Sequence, residues 1–493
     1  MPSDYERPHS VAVAPSYDAR LARMLELEQG TGNVPSRFLV LDRGDDALLS
    51  RLALIDAADT ALDLQYFIWR EDATADLLLS RLLAAADRGV RVRILVDDIH
   101  LRGDKVNPAV IAQHPNIEIR IFNPLAHRTA VRVIRWLELA FNLRRLNQRM
   151  HNKLFVVDNL VAIVGGRNIG SEYFGFNPEL NQRDMDLLAT GPVVPAIAST
   201  FDEYWNSQWA YPPEAFFKRG RQPGLSDLAE LREEIREYLE SQTELDAAFG
   251  LDERDWIDEA RQARNDMIPG DAWVIYDDPP DLEDRRPRIR QIDELSEIVE
   301  VAETEVLAVS PYVIPHPLTL EAIQELTERG VRVRLLTNSL ASNNLTIANS
   351  AYKRYRRALI EAGTELYELR SDPADRALYE TSPVVADRIG LHAKVFVVDR
   401  ETTYVGTLNL DPRSFEINTE IGVVVRSPPL AETIQSSFER DMRPDNSWRV
   451  EIDEDGRLRW TSTAGVKHIQ PAHSFTQRLA DFFLQMLPVE EQL

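Results

Sequence analysis

The sequence contains no cysteine among its 493 residues. Disulfide bonds, thiol nucleophiles and cysteine metal ligands are therefore excluded. Long apolar runs are also missing, since none approaches the ~20 residues that a membrane-spanning helix needs. The opening residues, MPSDYERPHSV, carry acids and prolines where a secretory signal needs a basic start and an apolar run. We therefore expect a cytoplasmic chain that is soluble or bound only to the surface of a membrane.

Positive charge is scarce as well. The formal net charge is −24, which argues against nucleic-acid binding because that binding depends on lysine and arginine neutralising phosphates. The negative charge also disfavours binding to anionic lipid surfaces, unless basic residues are concentrated at one place on the protein. The six lysines are Lys105, Lys153, Lys218, Lys353, Lys394 and Lys467.

A long internal repeat is present. The segment RGVRVRILVDDI begins at Arg88, and RGVRVRLLTNSL begins 241 residues later at Arg329. A chain of this length is expected to form two globular domains, and the repeat indicates two divergent copies of one domain. In each copy short β-branched runs alternate with helical patterns such as ATADLLLSRLLAAADRG, which predicts an α/β domain with helices covering a sheet.

One polar pattern recurs in both copies at the same offset of 241. The stretch MHNKLFVVDNLVAIVGGRN contains His151 and Lys153, and LHAKVFVVDRETTYVGTLN contains His392 and Lys394. Residues two apart in a strand project from the same face, so each histidine should point with its lysine. Two of only six lysines fall at these matched positions, which argues against a coincidental pair of structural histidines.

Two histidines, two lysines and the asparagine that ends each stretch are suited to the transfer or cleavage of a phosphate diester. Lysines and asparagine amides can hold the non-bridging oxygens and stabilise a five-coordinate phosphorus. One imidazole can attack the phosphorus while the other protonates the leaving oxygen and later deprotonates the incoming alcohol or water. Such a site needs no metal and no cofactor.

Both copies match the signature His-x-Lys-x4-Asp-x6-Gly-[Gly/Ser/Thr]-x-Asn without a gap, and the sequence thereby resembles the phospholipase D superfamily. Stretches such as LDLQYFIW, SPYVIP and NLDPRSFEINTEIGVVV resemble bacterial cardiolipin synthases that lack N-terminal transmembrane helices. The resemblance implies two tandem phospholipase D-like α/β/α sandwich domains, related by a pseudo-twofold axis, with one active site at their interface. It also implies a reaction through a phosphohistidine.

The motif residues are the candidate catalytic residues: His151, Lys153, Asp158, His392, Lys394 and Asp399. The resemblance implies that the two aspartates mainly support the structure, and that a downstream acid orients each histidine. The candidates for phosphate binding or support are Asn168, Asn409, Gly166, Thr407, Asp184 and Glu420, of which the last two are the expected orienting acids.

The expected organisation has five parts. Residues 1–34 form an extension, 35–210 the first domain, 211–270 a charged helical connector, 271–445 the second domain and 446–493 a C-terminal extension. The connector is alternatively a lid over the site. Near the C-terminus Phe475, Leu479, Phe482, Phe483 and Met486 share one helical face, which predicts an amphipathic helix docked on its own domain rather than a membrane anchor.

Lipid contact is predicted from the segment just before the first motif, in which arginines alternate with apolar residues. A basic helix with a Trp-bearing apolar face is typical of the membrane interface, although a core helix with a solvated face has the same pattern. A second basic cluster is YKRYRR, residues 352–357. The candidate lipid or headgroup contacts are Arg135, Trp136, Arg145, Arg149, Arg413 and Ser414.

The expected function is therefore phosphatidyl transfer at the inner face of the cell membrane. We expect His151 to form a phosphatidyl-enzyme and His392 to activate a second lipid, with phosphatidylglycerol giving cardiolipin and with the two roles open to exchange. A phospholipase D-type hydrolase and a phosphatidylserine synthase are alternatives, whereas a nuclease is disfavoured by the negative charge. A catalytically inactive lipid-binding scaffold is disfavoured because both motifs are intact.

Overall fold

The architecture was analysed in a computed structural model. It describes residues 7–27, 34–100, 107–124, 146–215, 223–249, 256–280 and 290–485.

The strands of the first copy lie between residues 36 and 211. They are β1 (Ser36–Leu41), β2 (Ala61–Tyr66), β3 (Arg91–Asp97), β4 (Ile117–Phe122), β5 (Leu154–Val157), β6 (Val161–Gly165), β7 (Leu180–Arg183), β8 (Asp186–Thr190) and β9 (Ala210–Tyr211).

The strands of the second copy follow the same plan, with a short hairpin added at the end. They are β10 (Ile268–Tyr276), β11 (Glu305–Val309), β12 (Arg332–Asn338), β13 (Glu365–Leu369), β14 (Arg388–Leu391), β15 (Val395–Val398), β16 (Thr402–Gly406), β17 (Ile421–Arg426), β18 (Ser447–Ile452), β19 (Leu458–Ser462) and β20 (Gly465–Lys467).

The α-helices with described bounds connect these strands. They are α1 (Arg20–Met24), α2 (Gly44–Ala57), α3 (Ala73–Asp87), α4 (Pro108–Ile111), α5 (Val193–Trp205), α6 (Leu225–Ser241), α7 (Thr243–Phe249), α8 (Trp256–Asp266), α9 (Gln291–Glu300), α10 (Pro317–Glu328), α11 (Thr346–Tyr352), α12 (Arg356–Glu361), α13 (Pro412–Glu416), α14 (Pro428–Asp441) and α15 (Phe475–Leu484).

The main sheet has a symmetric order about its centre. Running outward from the β1–β10 pair, the first copy contributes β8, β6, β5, β2, β3, β4 and β9, and the second contributes β17, β16, β15, β11, β12, β13 and β18. The remaining pairings of the second copy, including β11 with β15, repeat those of the first. The predicted pair of related α/β domains is confirmed by this order.

Three apolar layers enclose the two halves of the sheet. Helices α5 and α14 pack between the two halves in one shared inner core, and strands of both halves contribute to it. The outer face of the first half is covered by α2, α3 and α6, and that of the second by α9, α11 and α12. Strand β5 shows why the pattern folds this way, since Val156 faces the inner core and Val157 the outer one.

The predicted elements around the repeat are present. The pattern ATADLLLSRLLAAADRG forms α3, whose first turn is capped by the Asp72 carboxylate and which is followed by Gly89 at a φ of 97°. The charged connector contributes α6, α7 and α8, while its residues 268–270 already belong to β10. Helix α6 packs on α3 through Leu228, Leu231 and the Arg232–Asp87 ion pair. No helix in the part of the chain that the structure describes is long and apolar enough to cross a bilayer.

Candidate functional site

The two histidine motifs occupy equivalent strands in the middle of each half. His151 and Lys153 immediately precede β5, and His392 and Lys394 immediately precede β15. All four side chains are buried. The lysine of each motif also lowers the pKa of the histidine in the other motif by electrostatic repulsion, as expected for motifs that share one site.

Backbone pairing across the pseudo-twofold axis holds each histidine. The His151 N–H donates to the Thr419 carbonyl at 2.9 Å, and the Met150–Thr419 bridge is parallel. In the related position β7 pairs in parallel with β14, and the His392 N–H donates to the Arg183 carbonyl at 2.7 Å. The backbone N–H of each histidine is therefore hydrogen-bonded to the opposite half of the chain.

The two expected orienting acids also cross between the halves. Oε2 of Glu420 lies 2.7 Å from Nδ1 of His151, and Oδ2 of Asp184 lies 2.6 Å from Nδ1 of His392. An ionised carboxylate accepts the Nδ1–H proton, which leaves the lone pair of the imidazole on Nε2. Both histidines are thereby suited to attack or to accept a proton through Nε2.

The lysines stand beside the histidines and bring positive charge into a buried site. Nζ of Lys153 donates to the His151 carbonyl at 2.6 Å, and Nζ of Lys394 donates to the His392 carbonyl. Burial, opposed by nearby carboxylates, lowers the pKa of Lys394 to about 8, and burial with repulsion from Lys394 lowers that of Lys153. Such weakly solvated cations are suited to a phosphate anion.

The two histidine–carboxylate pairs differ electrostatically. Burial raises the pKa of Glu420 to about 7 despite its neighbouring lysines. For Asp184 burial acts in the same direction, but His392 and Lys394 outweigh it and the pKa falls below its usual value. Burial and Lys394 lower the pKa of His392 to about 3, and burial and Lys153 lower that of His151 well below its usual value. These lowered pKa values favour the neutral form of both imidazoles.

Gly166 and Thr407 make different contacts with the two orienting acids. A Cβ on Gly166 would stand 2.1 Å from Oδ1 of Asp184, so the glycine leaves the space that this carboxylate occupies. Thr407 takes the equivalent position in the second motif, where its side chain hydrogen-bonds Glu420. Its hydroxyl also accepts from the Ile421 N–H at 2.9 Å. Both positions therefore affect an orienting carboxylate.

The two motif asparagines also have contacts that shape the site. Oδ1 of Asn168 accepts from the Ile68 N–H at 3.1 Å. The Asn409 N–H donates to the Ser414 hydroxyl at 3.3 Å, and the Asn409 side chain is 6% exposed. A phosphate contact by either amide stays a prediction.

The motif aspartates lie at the far ends of the two strands. Asp158 accepts from the N–H groups of residues 59, 60 and 61 at 2.8–2.9 Å, and Asp399 accepts from those of residues 303, 304 and 305 at 2.7–3.0 Å. The four residues of β5 separate Lys153 from Asp158, which is a span of roughly 16 Å. These contacts fit the supporting role that the resemblance implies and place neither carboxylate beside a histidine.

Several neighbours of the histidines were not singled out from the sequence. The ring of Phe67 lies edge-on to His151 with centroids 5.0 Å apart, and Tyr173 lies edge-on to His392 at 5.1 Å. Asp277 accepts the Glu420 N–H at 2.9 Å and so fixes the backbone of that acid. Phe67 falls in the quoted stretch LDLQYFIW, but neither Tyr173 nor Asp277 belongs to a motif.

The candidate lipid contacts have varied positions. Arg135, Trp136 and Arg145 lie outside the described residues. Arg149 is buried and pairs with Asp97, while Arg413 is partly buried and donates to Asn147.

The surroundings of Ser414 contradict the expected headgroup contact. Its side chain is fully buried and its hydroxyl donates to Oε1 of Glu420 at 2.7 Å. The helical start at Pro412 turns this hydroxyl inward, with the Ser414 N–H donating to Asp411. In this structure Ser414 supports Glu420 instead of facing a lipid.

The chain is similar to known proteins of one family. The family described as "Cardiolipin synthase, PLD-like domain" matches residues 52–209 and 295–442, which is more than half of the chain. Cardiolipin synthase C of Escherichia coli (strain K12) is 34% identical over 440 residues, covering 87% of this chain and 90% of that protein. An uncharacterized protein of Helicobacter pylori (strain ATCC 700392 / 26695) is 31% identical over 437 residues, covering 87% of this chain and 84% of that protein.

The architecture is shared with a solved structure as well. Phosphatidylserine synthase of Haemophilus influenzae Rd KW20 superposes with a TM-score of 0.55 at 13% identity, covering 84% of this chain and 89% of that one. At this identity the likeness concerns the fold alone. The family match and the similarity to the Escherichia coli protein show that the chain belongs to the cardiolipin synthase family of phospholipase D-like phosphatidyltransferases.

Proposed function

We propose that this chain makes cardiolipin from phosphatidylglycerol and a second phospholipid, through a phosphatidyl group held on His151. The observation that carries the proposal is the reciprocal pairing of Glu420 with His151 and of Asp184 with His392. This pairing supports two imidazoles with reactive Nε2 atoms in one site. The name of the Escherichia coli relative supports the choice of cardiolipin as the product.

The unequal carboxylates support this assignment of the two histidines. A nucleophile must be neutral, and the depressed pKa of His151 keeps its Nε2 lone pair available. A general acid must carry a proton, and Asp184, whose pKa is lowered, is the better partner for a positively charged His392. A bound phosphate diester adds negative charge beside His392, which raises the pKa of this imidazole from its unliganded value of about 3.

The reaction then proceeds in two displacements. Nε2 of His151 forms a bond to phosphorus while the bond from phosphorus to the headgroup oxygen breaks, and His392 gives its proton to that oxygen. A hydroxyl of the second lipid next attacks phosphorus and loses its proton to His392 as the phosphorus–nitrogen bond breaks. Lys153 and Lys394 stabilise the charge on the non-bridging oxygens in both steps. When both lipids are phosphatidylglycerol, glycerol is the released alcohol.

The proposed setting is the cytoplasmic face of the membrane, where phospholipids are the partners and nucleic acid is not. The absence of a spanning helix among the described residues is compatible with peripheral binding.

The decisive experiment follows products by mass spectrometry. Purified protein is incubated with phosphatidylglycerol vesicles, with and without phosphatidylethanolamine, beside His151→Ala and His392→Ala variants. The proposal predicts cardiolipin from the unaltered chain, and none above background from either variant. Phosphatidic acid as the sole product would mean that water is the acceptor and that the enzyme is a hydrolase.

A covalent adduct distinguishes the two histidines. Rapid denaturation during turnover should leave a phosphatidyl group on the peptide that contains His151, and His151→Ala should abolish it. An adduct found on His392 would exchange the assigned roles without changing the overall reaction.

A further inference from the structure

The C-terminal helix α15 is oriented opposite to the usual arrangement of an amphipathic surface helix. Its large apolar side chains face solvent: Phe475 is 78% exposed, Leu479 46%, Phe482 48% and Phe483 58%. The helix lies against its own domain, but its apolar stripe does not form the contact. A run of three phenylalanines and a leucine on one outward face needs a partner, because exposed apolar surface of this kind is unfavourable in water.

The polar face of α15 is the one that holds it to the protein. Asp481 is 1% exposed, and its carboxylate accepts from Lys353 at 3.2 Å, from Ser350 at 3.1 Å and from Gln470 at 2.6 Å. The helix packs against α11 through these contacts. The outward direction of the apolar face is thus set by a buried polar network on the opposite face.

This helix stands at the edge of the sheet where the site lies. Nε2 of Gln477 donates to the carbonyl of Leu340, just beyond the carboxyl end of β12. At that strand end the Asn338 side chain binds both backbone groups of Leu391, which precedes His392. Two connected sets of hydrogen bonds therefore link α15 to the second histidine motif.

The charge around α15 is opposite to that of the chain as a whole. Arg478 is exposed on the helix, and the adjoining segment adds the exposed Arg354 and Arg357. Lys353 pairs with Asp481, and Arg356 is buried against Glu368. The one acid within α15 is the buried Asp481. A chain of net charge −24 therefore presents a basic, phenylalanine-rich surface at this place.

We propose that the outward face of α15 inserts into an anionic phospholipid bilayer and so sets the site against the membrane surface. Phenylalanine and leucine side chains enter the acyl boundary while the neighbouring cations meet the headgroups, which is how interfacial helices bind. The inference rests on the proposed function, because an enzyme whose substrates are bilayer lipids needs its site held at the bilayer. It assigns docking to α15, whereas the sequence pattern had indicated the arginine-rich segment before the first motif.

The test compares the full chain with the variant Phe482→Ser/Phe483→Ser. Binding is measured by flotation with vesicles of phosphatidylcholine alone and of phosphatidylcholine with phosphatidylglycerol. The unaltered chain should float with the anionic vesicles, less so at high salt, and the double variant should bind them on the order of tenfold more weakly. Arg478→Glu should weaken binding to the anionic vesicles alone.

Turnover provides the second readout. The ratio of the rate on vesicles to the rate on monodisperse short-chain phosphatidylglycerol should fall about tenfold in the double variant, in line with its binding. Val301→Ser is the matched control, because Val301 is 73% exposed but lies before β11, at the opposite edge of the sheet. This control should leave both binding and the ratio unchanged.

Three results would overturn the inference. One is equal vesicle binding by the double variant and the unaltered chain, and another is no binding by the unaltered chain. The third is a dimer of the unaltered chain that the double variant dissociates while vesicle binding is kept, since α15 would then be a protein interface. Loss of vesicle binding in the double variant would support docking through α15 even if the unaltered chain converted no lipid. Failure of the proposed function can therefore be distinguished from failure of the docking proposal.

Discussion

Glu420 of the second half places its carboxylate 2.7 Å from Nδ1 of His151 in the first half. The relationship is reciprocal, since Asp184 of the first half binds His392 of the second at 2.6 Å. Each histidine thus depends on the opposite half for its tautomer and orientation. One copy of the domain would have a histidine and a lysine but no acid at Nδ1, so the two copies form one site that neither forms alone.

Replacing either orienting acid by its amide should impair catalysis without unfolding the chain. In Glu420→Gln and Asp184→Asn an amide takes the place of the carboxylate that accepts the Nδ1–H proton, and kcat should fall by roughly 10²- to 10⁴-fold. Initial rates of cardiolipin formation measure the effect, with thermal unfolding as the check on folding. A loss smaller than tenfold in both variants would mean that the acids do not control the histidines.

The pH dependence of kcat/KM should be a narrow bell. Below the Glu420 pKa of about 7 the protonated acid donates to Nδ1, which places the His151 proton on Nε2 and blocks attack. Above the Lys394 pKa of about 8 the ammonium loses its proton and the phosphate loses a stabilising charge. Activity should therefore rise through pH 7 and fall beyond pH 8, with both limbs belonging to a coupled site.

The Glu420→Gln variant provides a control for this pH dependence. Glu420→Gln should remove the acidic limb from the remaining activity while retaining the alkaline limb, because Lys394 is still present. An acidic limb that persists near pH 7 in this variant would assign it to another group.

Gly166→Ala should damage the site more than the fold. Its Cβ would stand 2.1 Å from Oδ1 of Asp184, so this carboxylate must move away from His392. We expect kcat to fall by at least about tenfold, as for loss of an orienting contact. Gly224→Ala is a suitable control, since the nearest atom to its added Cβ is 3.8 Å away. Comparable rates for the two variants would contradict this account of Gly166.

The two motif aspartates should affect stability unequally. Asp158 is 1% exposed, whereas the contacts of Asp399 with residues 303 and 304 are exposed to solvent. Asp158→Ala should lower the free energy of unfolding by about 3 kcal/mol and Asp399→Ala by about 1–2 kcal/mol, because buried donors left without an acceptor cost more. Denaturant unfolding measures the order. If kcat of folded Asp158→Ala fell as far as that of His151→Ala, the supporting role would be wrong.

Much of this architecture was predictable because the repeat and the strand period are local properties of the sequence. The offset of 241 residues between His151 and His392 indicated two related domains, and the alternating polar pattern placed each lysine beside its histidine. The pairing of each acid with its histidine was harder to predict from the sequence. Position in the sequence suggested Asp184 and Glu420, but pairing across the halves depends on contacts between residues more than 200 positions apart.

The sequence pattern did not predict correctly which side chains are exposed to solvent. The apolar stripe of α15 predicts a buried face, yet the burial of Asp481 among Lys353, Ser350 and Gln470 turns that stripe outward. Ser414 shows the opposite error, since a polar residue next to the second motif proved to be an internal support for Glu420.

The sequence by itself determined the duplicated α/β architecture, the family and the reactive residue types, because these follow from spacing, periodicity and motif chemistry along the chain. Only the tertiary structure decided which acid serves which histidine, why the carboxylates of the two pairs titrate differently and which face of α15 meets solvent. These properties depend on burial and on the charges that folding brings together, and neither quantity is defined until distant segments are in contact.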